Sequence, residues 1–322
     1  MKFSNNSLKK LIKGACYFEI NNGYLDAYKY SKAQLDLIKE QICDKCWWDR
    51  ATFTPGIRIE IETNSDFISF DYKIPYGNQL SARSNSLDVW VDGVLYSIFR
   101  TEALKGNFKI DLPKGNKMVV IYLPNDCRFS IKNFTIDGNY KSVKTKGQRV
   151  LVIGDSITQG YGPLFSSGSY FNALQRKCGY DMLDQGIGGY RCEARDLIYI
   201  DGFNPDKVMV FLGTNYYDAP DLYDYEKGTV DFYKRLNELY PDKEILAISP
   251  LWRNDEPDRE RLSWCIDIIR RECAKYENIT LIDGFTLVPN VDDCFCDRLH
   301  PNKYGCEILA NNIYNTMKKI KF

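Results

Sequence analysis

Val150-Leu151-Val152-Ile153-Gly154-Asp155-Ser156 joins a continuous apolar run to a turn of glycine and polar residues. A short apolar run of this kind is typical of a strand that is covered on both faces of a parallel sheet. Further strands are predicted at 181–184, 207–212, 244–248 and 279–282, with helices at 169–177, 192–200, 225–239, 257–276 and 301–318. Regular alternation of strand and helix indicates βαβ units. We therefore predict a flavodoxin-like, doubly wound α/β domain built on a five-stranded parallel sheet.

The first half of the chain has a different pattern, in which aromatic and branched residues alternate with polar ones over short runs. Ile57-Arg58-Ile59-Glu60-Ile61-Glu62 alternates cleanly, and Asp92-Gly93 has the composition of a tight hairpin turn. A short helix is predicted at 31–41, with Ser31 as its N-cap. Further strands are predicted at 67–72, 89–91, 94–99, 109–112, 118–123 and 129–136. This series predicts an all-β jelly-roll or sandwich domain.

The change of pattern divides the chain of 322 residues into an expected β-sandwich domain at 1–140 and an expected α/β domain at 149–322. Lys plus Arg and Asp plus Glu each number 43, so the formal net charge of zero gives no basic surface for nucleic acid or an anionic membrane. The N-terminus lacks an apolar stretch long enough for a signal peptide or a membrane span. We therefore expect a cytoplasmic protein whose partners are neutral or small molecules.

Eleven cysteines form an odd set that is scattered along the chain. In the absence of a secretory signal, this pattern indicates reduced thiols rather than a disulfide framework. Cys43-Asp44-Lys45-Cys46 and Cys294-Phe295-Cys296 could together supply four zinc ligands. Scattered buried thiols explain the two pairs better, so no metal site is expected.

Polar or glycine-rich segments follow the first three predicted strands of the parallel sheet. They are Gly154-Asp155-Ser156, Gly186-Ile187-Gly188-Gly189-Tyr190-Arg191 and Gly213-Thr214-Asn215. In open parallel sheets, ligands bind beyond the carboxyl ends of the strands, at the point where the strand order reverses. The segments lack the third glycine of a dinucleotide fingerprint, a Gly-Lys-Ser/Thr phosphate loop and a Gly-x-Ser-x-Gly elbow. A ligand site of another kind is therefore predicted at this edge of the sheet.

His300 is the only histidine in the chain, and Asp297 precedes it by three residues. A serine hydroxyl is a weak nucleophile that needs a neighbouring base, and the base needs a partner to fix its tautomer. If Ser156 is a nucleophile, His300 is the only histidine that could serve as its base. The alternative is structural: His300 would flank a helix that begins at Pro301, and Asp297 would be a carboxylate at the entry to that helix.

Four short segments, in their order along the chain, resemble the four blocks of the SGNH, or GDSL-type, hydrolases. They are Gly154-Asp155-Ser156, Gly189, Asn215 and Asp297-x-x-His300. The resemblance covers roughly residue 149 to the end. It implies that Ser156 is the nucleophile, that His300 is the general base and that Asp297 orients His300. It also implies an oxyanion hole formed by the backbone N–H groups of Ser156 and Gly189 with the side-chain amide of Asn215. No cofactor is required for this chemistry.

Two positions depart from the usual pattern of that family. Tyr216 stands where an aspartate is common, and no asparagine is present near Asp184 and Gln185. Neither change removes a proposed catalytic group, but Tyr216 is expected to reshape the pocket.

The N-terminal half resembles the jelly-roll domain that precedes some SGNH esterases, including carbohydrate esterases similar to the acetyl esterases of family 2. This resemblance depends on the strand pattern and on short phrases such as Leu87-Asp88-Val89-Trp90-Val91-Asp92-Gly93. Together the two resemblances imply a serine esterase that hydrolyses acetyl esters of carbohydrates. Two alternatives remain open, an acyltransferase that acts on a sugar hydroxyl and a catalytically silent carbohydrate-binding protein.

Several residues on loops near the strand ends are candidates for holding a sugar. Aromatic faces beside an arginine are suited to that task. The alternative is that these side chains only pack in the rim or the core. The substrate-binding candidates are Asp155, Tyr190, Arg191 and Trp252, with Tyr161 and Arg253 nearby.

Overall fold

The computed structural model describes residues 1–40, 45–75, 85–101, 103–145, 147–216, 222–255 and 259–322, with the backbone alone at 45, 46, 216, 222 and 223. Cys43 and the side chains of Cys46 and Tyr216, all considered above, lie outside that description. So does the beginning of the helix predicted at 257–276.

The elements follow one pattern in the first half of the chain and another in the second half. The helices are α1 (Asn5–Lys9), α2 (Lys32–Glu40), α3 (Lys45–Ala51), α4 (Ser156–Gln159), α5 (Tyr170–Cys178), α6 (Leu222–Leu239), α7 (Arg259–Cys273) and α8 (Lys303–Ile320). The first strands are β1 (Ile12–Lys13), β2 (Tyr17–Asn21), β3 (Tyr24–Tyr28), β4 (Arg58–Thr63), β5 (Phe67–Lys73), β6 (Ser86–Val91), β7 (Val94–Arg100), β8 (Lys105–Asp111), β9 (Lys117–Tyr122), β10 (Ser130–Ile136) and β11 (Tyr140–Ser142). The later strands are β12 (Arg149–Gly154), β13 (Asp181–Gly186), β14 (Lys207–Phe211), β15 (Glu244–Ile248) and β16 (Ile279–Ile282).

The first eleven strands form two antiparallel sheets. One has the order β1-β4-β9-β6-β7, with β11 beside β4, and the other has the order β2-β3-β10-β5-β8. Alternate residues of both sheets, such as Ile59 and Phe70, are fully buried in one shared core. The predicted β domain is therefore confirmed, as is the hairpin at Asp92-Gly93, which joins paired residues Val91 and Val94. Strands β1, β2, β3 and β11 had no sequence prediction.

The remaining strands form a parallel sheet with the order β13-β12-β14-β15-β16. Side chains of β12 alternate between two cores because successive residues of a strand point to opposite faces. Val150 and Val152 lie in the core that contains α5 and α8, whereas Leu151 and Ile153 lie in the core that contains α6 and α7. The doubly wound fold is thus confirmed. The strand order reverses between β12 and β14, where ligands bind in such sheets.

One predicted helix is absent. Residues 192–200 contain only a single 3-10 turn, at Ala194–Asp196. Side chains from α2 and α3, including Leu35, Ile38 and Trp47, pack into the same core as Leu151 and Leu183 of the parallel sheet. The N-terminal helices α2 and α3 thus cover the part of the sheet against which a helix at 192–200 would pack.

Candidate active site

Ser156 is positioned by the turn that follows β12. It is the first residue of α4, and Asp155 immediately before it is the N-cap. The Asp155 carboxylate accepts the N–H of Ile157 at 3.0 Å and is almost fully buried. Burial raises the pKa of Asp155 to about 6, although the Ile157 N–H acts in the opposite direction. Asp155 therefore shapes the turn that presents Ser156.

A chain of hydrogen bonds connects Ser156, His300 and Asp297. Ser156 Oγ lies 2.8 Å from His300 Nε2, and His300 Nδ1 lies 2.8 Å from Asp297 Oδ2. Oδ1 of the same carboxylate accepts the backbone N–H of His300 at 2.8 Å and that of Leu299 at 3.2 Å. The structure thus brings together the three residues that the resemblance assigns to a catalytic triad.

Asp297 is held in its ionised form. Partial burial acts to raise the pKa of Asp297, but the hydrogen bonds and the attraction from His300, with the Leu299 N–H, outweigh burial and keep this pKa well below its usual value. An ionised carboxylate only accepts hydrogen bonds, so the proton between the two side chains is on His300 Nδ1. In the neutral imidazole, Nε2 then has a lone pair for the Ser156 hydroxyl, as a general base requires.

His300 lies in the loop before α8 and not at the start of the helix. The N-cap of α8 is Asn302, whose side chain accepts the N–H groups of Tyr304 and Gly305, so the helix begins two residues later than Pro301. The His300 carbonyl oxygen accepts the N–H of Cys296 at 2.9 Å. The ring of Tyr161 packs edge to face against the imidazole, with 4.5 Å between centroids. These contacts restrain both the backbone and the ring of His300.

The three groups expected to form an oxyanion hole are available at the same site. Asn215 follows β14, and its Nδ2 atom donates one hydrogen bond to the Tyr190 carbonyl oxygen at 3.1 Å, which leaves a second N–H. Within the described parts of the chain, the backbone N–H groups of Ser156 and Gly189 have no hydrogen-bond acceptor. Ser156, Gly189 and Asn215 all line one cleft.

That cleft has a volume of about 610 Å³ and receives side chains from both halves of the chain. None of the N-terminal residues in it was predicted from the sequence, because no pattern links them to the later motifs. The only sequence signal in α3 is the adjacent pair Trp47-Trp48 among charged residues. The lining residues are Asp49, Arg50, Phe53, Asp126, Ser156, Gln159, Tyr161, Gly188, Gly189, Asn215, Asp297, Leu299 and His300.

The four residues expected to hold a sugar are placed differently from that expectation, since none of them lines this described cleft. Asp155 is the buried cap noted above. Tyr190 is buried and donates its hydroxyl to Asp196 at 2.8 Å. The Trp252 ring stacks on Phe285 with 3.8 Å between centroids, and Arg191 is exposed on the surface.

The cysteine pair near the triad offers no metal centre in the part of the chain that is described. Cys294 is buried and Cys296 is half-buried. The described side chains include no group of three or more His, Cys, Asp or Glu that could hold a metal ion.

Gly162 controls how closely the Tyr161 loop approaches His300. Its φ of +123° is unfavourable for other residues, and a Cβ there would overlap the Pro301 carbonyl oxygen and lie 3.4 Å from His300 Cβ. We expect Gly162→Ala to displace the imidazole from Ser156 and to lower kcat about 100-fold, because small misplacements of catalytic groups are costly. Steady-state kinetics with a small acetyl ester measures this effect.

Gly115→Ala is the matched control for Gly162→Ala. Gly115 has a φ of +91°, but a Cβ there meets no atom within 4 Å. The control should lose about 1 kcal/mol of stability from backbone strain and keep its kcat. Equal kcat in the two variants would show that the approach of Gly162 to the His300 loop has no role in catalysis.

The sequence and the fold both match known hydrolases. Residues 152–308 match the model of the GDSL-like Lipase/Acylhydrolase family. This match covers most of the α/β domain. The SGNH resemblance read from the sequence is therefore confirmed, and the protein is an ester-hydrolysing or acyl-transferring enzyme. No curated protein sequence matches the chain.

Several solved structures share the fold over both halves of the chain. A putative GDSL-like lipase from Bacteroides ovatus has a TM-score of 0.79 at 20% identity, with 96% of this chain and 95% of that chain covered. The salicylyl-acyltransferase SsfX3 from a tetracycline biosynthetic pathway has a TM-score of 0.76 at 20% identity, with 100% and 97% covered. A family two carbohydrate esterase from Clostridium thermocellum, in complex with cellohexaose, has a TM-score of 0.69 at 15% identity, with 96% and 98% covered. Each therefore combines an α/β domain with a preceding β domain.

Within the described ranges, no helix combines the length and the apolar character that crossing a membrane requires.

Proposed function

We propose that this protein is a serine esterase that hydrolyses acetyl esters of carbohydrates. The observation that carries the proposal is the continuous path from Ser156 Oγ through the His300 ring to Asp297, with 2.8 Å at each step, open to the cleft. A nucleophile, a base and an orienting carboxylate in this geometry are the parts that acyl transfer needs.

In the first half of the reaction, Ser156 Oγ attacks the ester carbonyl carbon while His300 Nε2 takes the hydroxyl proton. The carbonyl oxygen becomes an oxyanion, which the N–H groups of Ser156, Gly189 and Asn215 stabilise. When the tetrahedral intermediate collapses, His300 returns the proton to the departing sugar oxygen, and an acyl-Ser156 remains. In the second half, His300 activates water, which attacks the acyl carbon and releases acetate and Ser156.

The lining of the cleft favours a small acyl group on a polar alcohol. Asp49 and Asp126 present carboxylate groups that can hydrogen-bond sugar hydroxyls, whereas the fully apolar side chains in the described lining are Phe53 and Leu299. A long acyl chain would therefore find little apolar surface. The carbohydrate esterase structure with bound cellohexaose supports the same substrate class by likeness of fold.

The acyl preference can be measured with a series of 4-nitrophenyl esters from acetyl to octanoyl. We expect kcat/KM for the acetyl ester to exceed that for the octanoyl ester by at least about tenfold, because a misfitting methylene costs about 1–3 kcal/mol. Acetylated sugars should then be better substrates than 4-nitrophenyl acetate by kcat/KM. Faster turnover of octanoyl esters, or no activity on acetylated sugars, would contradict the proposal.

The alternative of an acyltransferase uses the same residues, with a sugar hydroxyl in place of water. It is favoured by the fold shared with a salicylyl-acyltransferase over the whole of this chain. Product analysis with an acetyl ester and excess sugar acceptor distinguishes the two, and transfer that outcompetes hydrolysis would favour the transferase. A silent binding protein is tested separately, because it would not be labelled at Ser156 by a fluorophosphonate.

A further inference from the structure

Side chains from the N-terminal half hold the backbone of the loop that contains Gly189. Four carbonyl oxygens, two at the end of β13 and two in this loop, each accept a hydrogen bond from one of them. The donors are the Tyr30 hydroxyl to Gln185 at 2.8 Å, Lys29 Nζ to Gly186, Arg50 Nη1 to Gly188 at 2.5 Å and Trp47 Nε1 to Gly189 at 3.1 Å. The segment between β3 and β4, which includes α3, is thus attached directly to the oxyanion loop.

Among these contacts, the one made by Arg50 acts on the peptide group that matters for catalysis. The Gly188 carbonyl and the Gly189 N–H belong to one planar trans peptide, so they point in opposite directions. By holding the Gly188 oxygen, Arg50 directs the Gly189 N–H away from its own guanidinium. The other side of Gly188 is fixed as well, because Gln159 Oε1 accepts the Gly188 N–H at 2.7 Å. Gly188 is therefore held on both sides, by Gln159 at the peptide that precedes it and by Arg50 at the peptide that follows it.

The contact also has an electronic consequence. Arg50 carries a permanent charge, and a charge-assisted hydrogen bond to a carbonyl oxygen polarises the whole amide. Hydrogen bonds in a chain strengthen one another, so the Gly189 N–H becomes a better donor. Trp47 lies three residues before Arg50 and so on the same face of α3, where it fixes the next carbonyl. Its indole is buried against the Tyr190 ring, with 5.2 Å between centroids.

We propose that Arg50 is a positioning residue for the oxyanion hole, acting through the Gly188–Gly189 peptide, and that α3 is thereby part of the catalytic machinery. This inference rests on the proposed function, because it assigns the Gly189 N–H to the oxyanion. Its consequence is that acyl transfer at Ser156 requires α3.

Kinetics of Arg50 variants in the full-length protein test the proposal. With 4-nitrophenyl acetate, Arg50→Met should lower kcat about 10–100-fold with little change in KM, since the loss falls on the transition state and a full oxyanion donor is worth about 100–1,000-fold. Arg50→Lys keeps a charged donor and should recover most of that loss. Arg100→Met is the matched control, because Arg100 is exposed on β7, and it should leave both constants unchanged. A rise in KM alone would show that Arg50 only binds substrate.

The amide of Gly189 gives a readout that does not depend on turnover. In protein labelled with ¹⁵N at glycine, the Gly189 signal is identified by its loss in Gly189→Ala. It should move upfield in Arg50→Met, partly return in Arg50→Lys and stay in place in Arg100→Met. An unchanged Gly189 signal in Arg50→Met overturns the proposal even if the enzyme is inactive. Failure of a fluorophosphonate to react with Ser156 of the wild-type protein would instead overturn the proposed function. A shifted Gly189 signal in Arg50→Met would then still support the action of Arg50 on this peptide.

Discussion

Ser156→Ala is expected to lower kcat for an acetyl ester by about a million-fold, leaving only the residual acceleration that binding and the oxyanion hole provide. The reason is chemical: Ser156 Oγ is the only group at 2.8 Å from His300 Nε2 among the described contacts, and alanine has no atom that can form the acyl-enzyme. The side chain is small and half-buried, so the variant should fold as the wild type does. Hydrolysis at high enzyme concentration and thermal melting measure the two effects.

A double-mutant comparison makes this prediction sharper. If Ser156 and His300 act as one unit, Ser156→Ala combined with His300→Ala should lose no more activity than Ser156→Ala alone. If the double variant instead loses the product of the two single losses in kcat, His300 assists catalysis independently of Ser156. Activity of Ser156→Ala within about tenfold of wild type would remove Ser156 from the mechanism altogether.

Much of this fold follows from local sequence patterns. The apolar run in β12 predicts a strand covered on both faces, and Val150 and Leu151 do lie in different cores. The spacing between Asp297 and His300 is short enough for a local loop to bring them together. Their roles and that of Ser156 came from the family resemblance, and the structure places their side chains in hydrogen-bond contact.

The parts that the sequence did not predict are those that depend on contacts between distant segments. The helix expected at 192–200 has apolar spacing, but α2 and α3 already cover the sheet there. Arg50 lies 138 residues from its partner Gly188, and no motif connects them. Tyr190 was expected in a binding site because it is aromatic and follows a strand, yet its hydroxyl is used internally by Asp196. Residue type indicates what a side chain can do, whereas packing decides where it points.

Asp297→Asn is expected to lower kcat about 10,000-fold while leaving the fold intact. Oδ1 of Asp297 accepts two backbone N–H groups, from Leu299 and His300, so in the variant the amide oxygen must occupy that position. The amide nitrogen is then forced to the Oδ2 position, 2.8 Å from His300 Nδ1 in the present structure. An amide NH2 donates there, so Nδ1 must become the acceptor and the proton moves to Nε2. In that tautomer His300 cannot accept the proton of Ser156.

The single histidine of this chain makes the tautomer directly measurable. Every imidazole ¹⁵N signal in the NMR spectrum of untagged protein belongs to His300, and we expect the protonated nitrogen to change from Nδ1 in the wild type to Nε2 in Asp297→Asn. Asp292→Asn, at an exposed aspartate of the same loop region, should alter neither the tautomer nor kcat. If Asp297→Asn lowers kcat but keeps the wild-type tautomer, the role of Asp297 is to stabilise the imidazolium that forms during the reaction. Retention of kcat within about tenfold would reduce Asp297 to an acceptor for the loop backbone and leave Ser156 and His300 as a dyad.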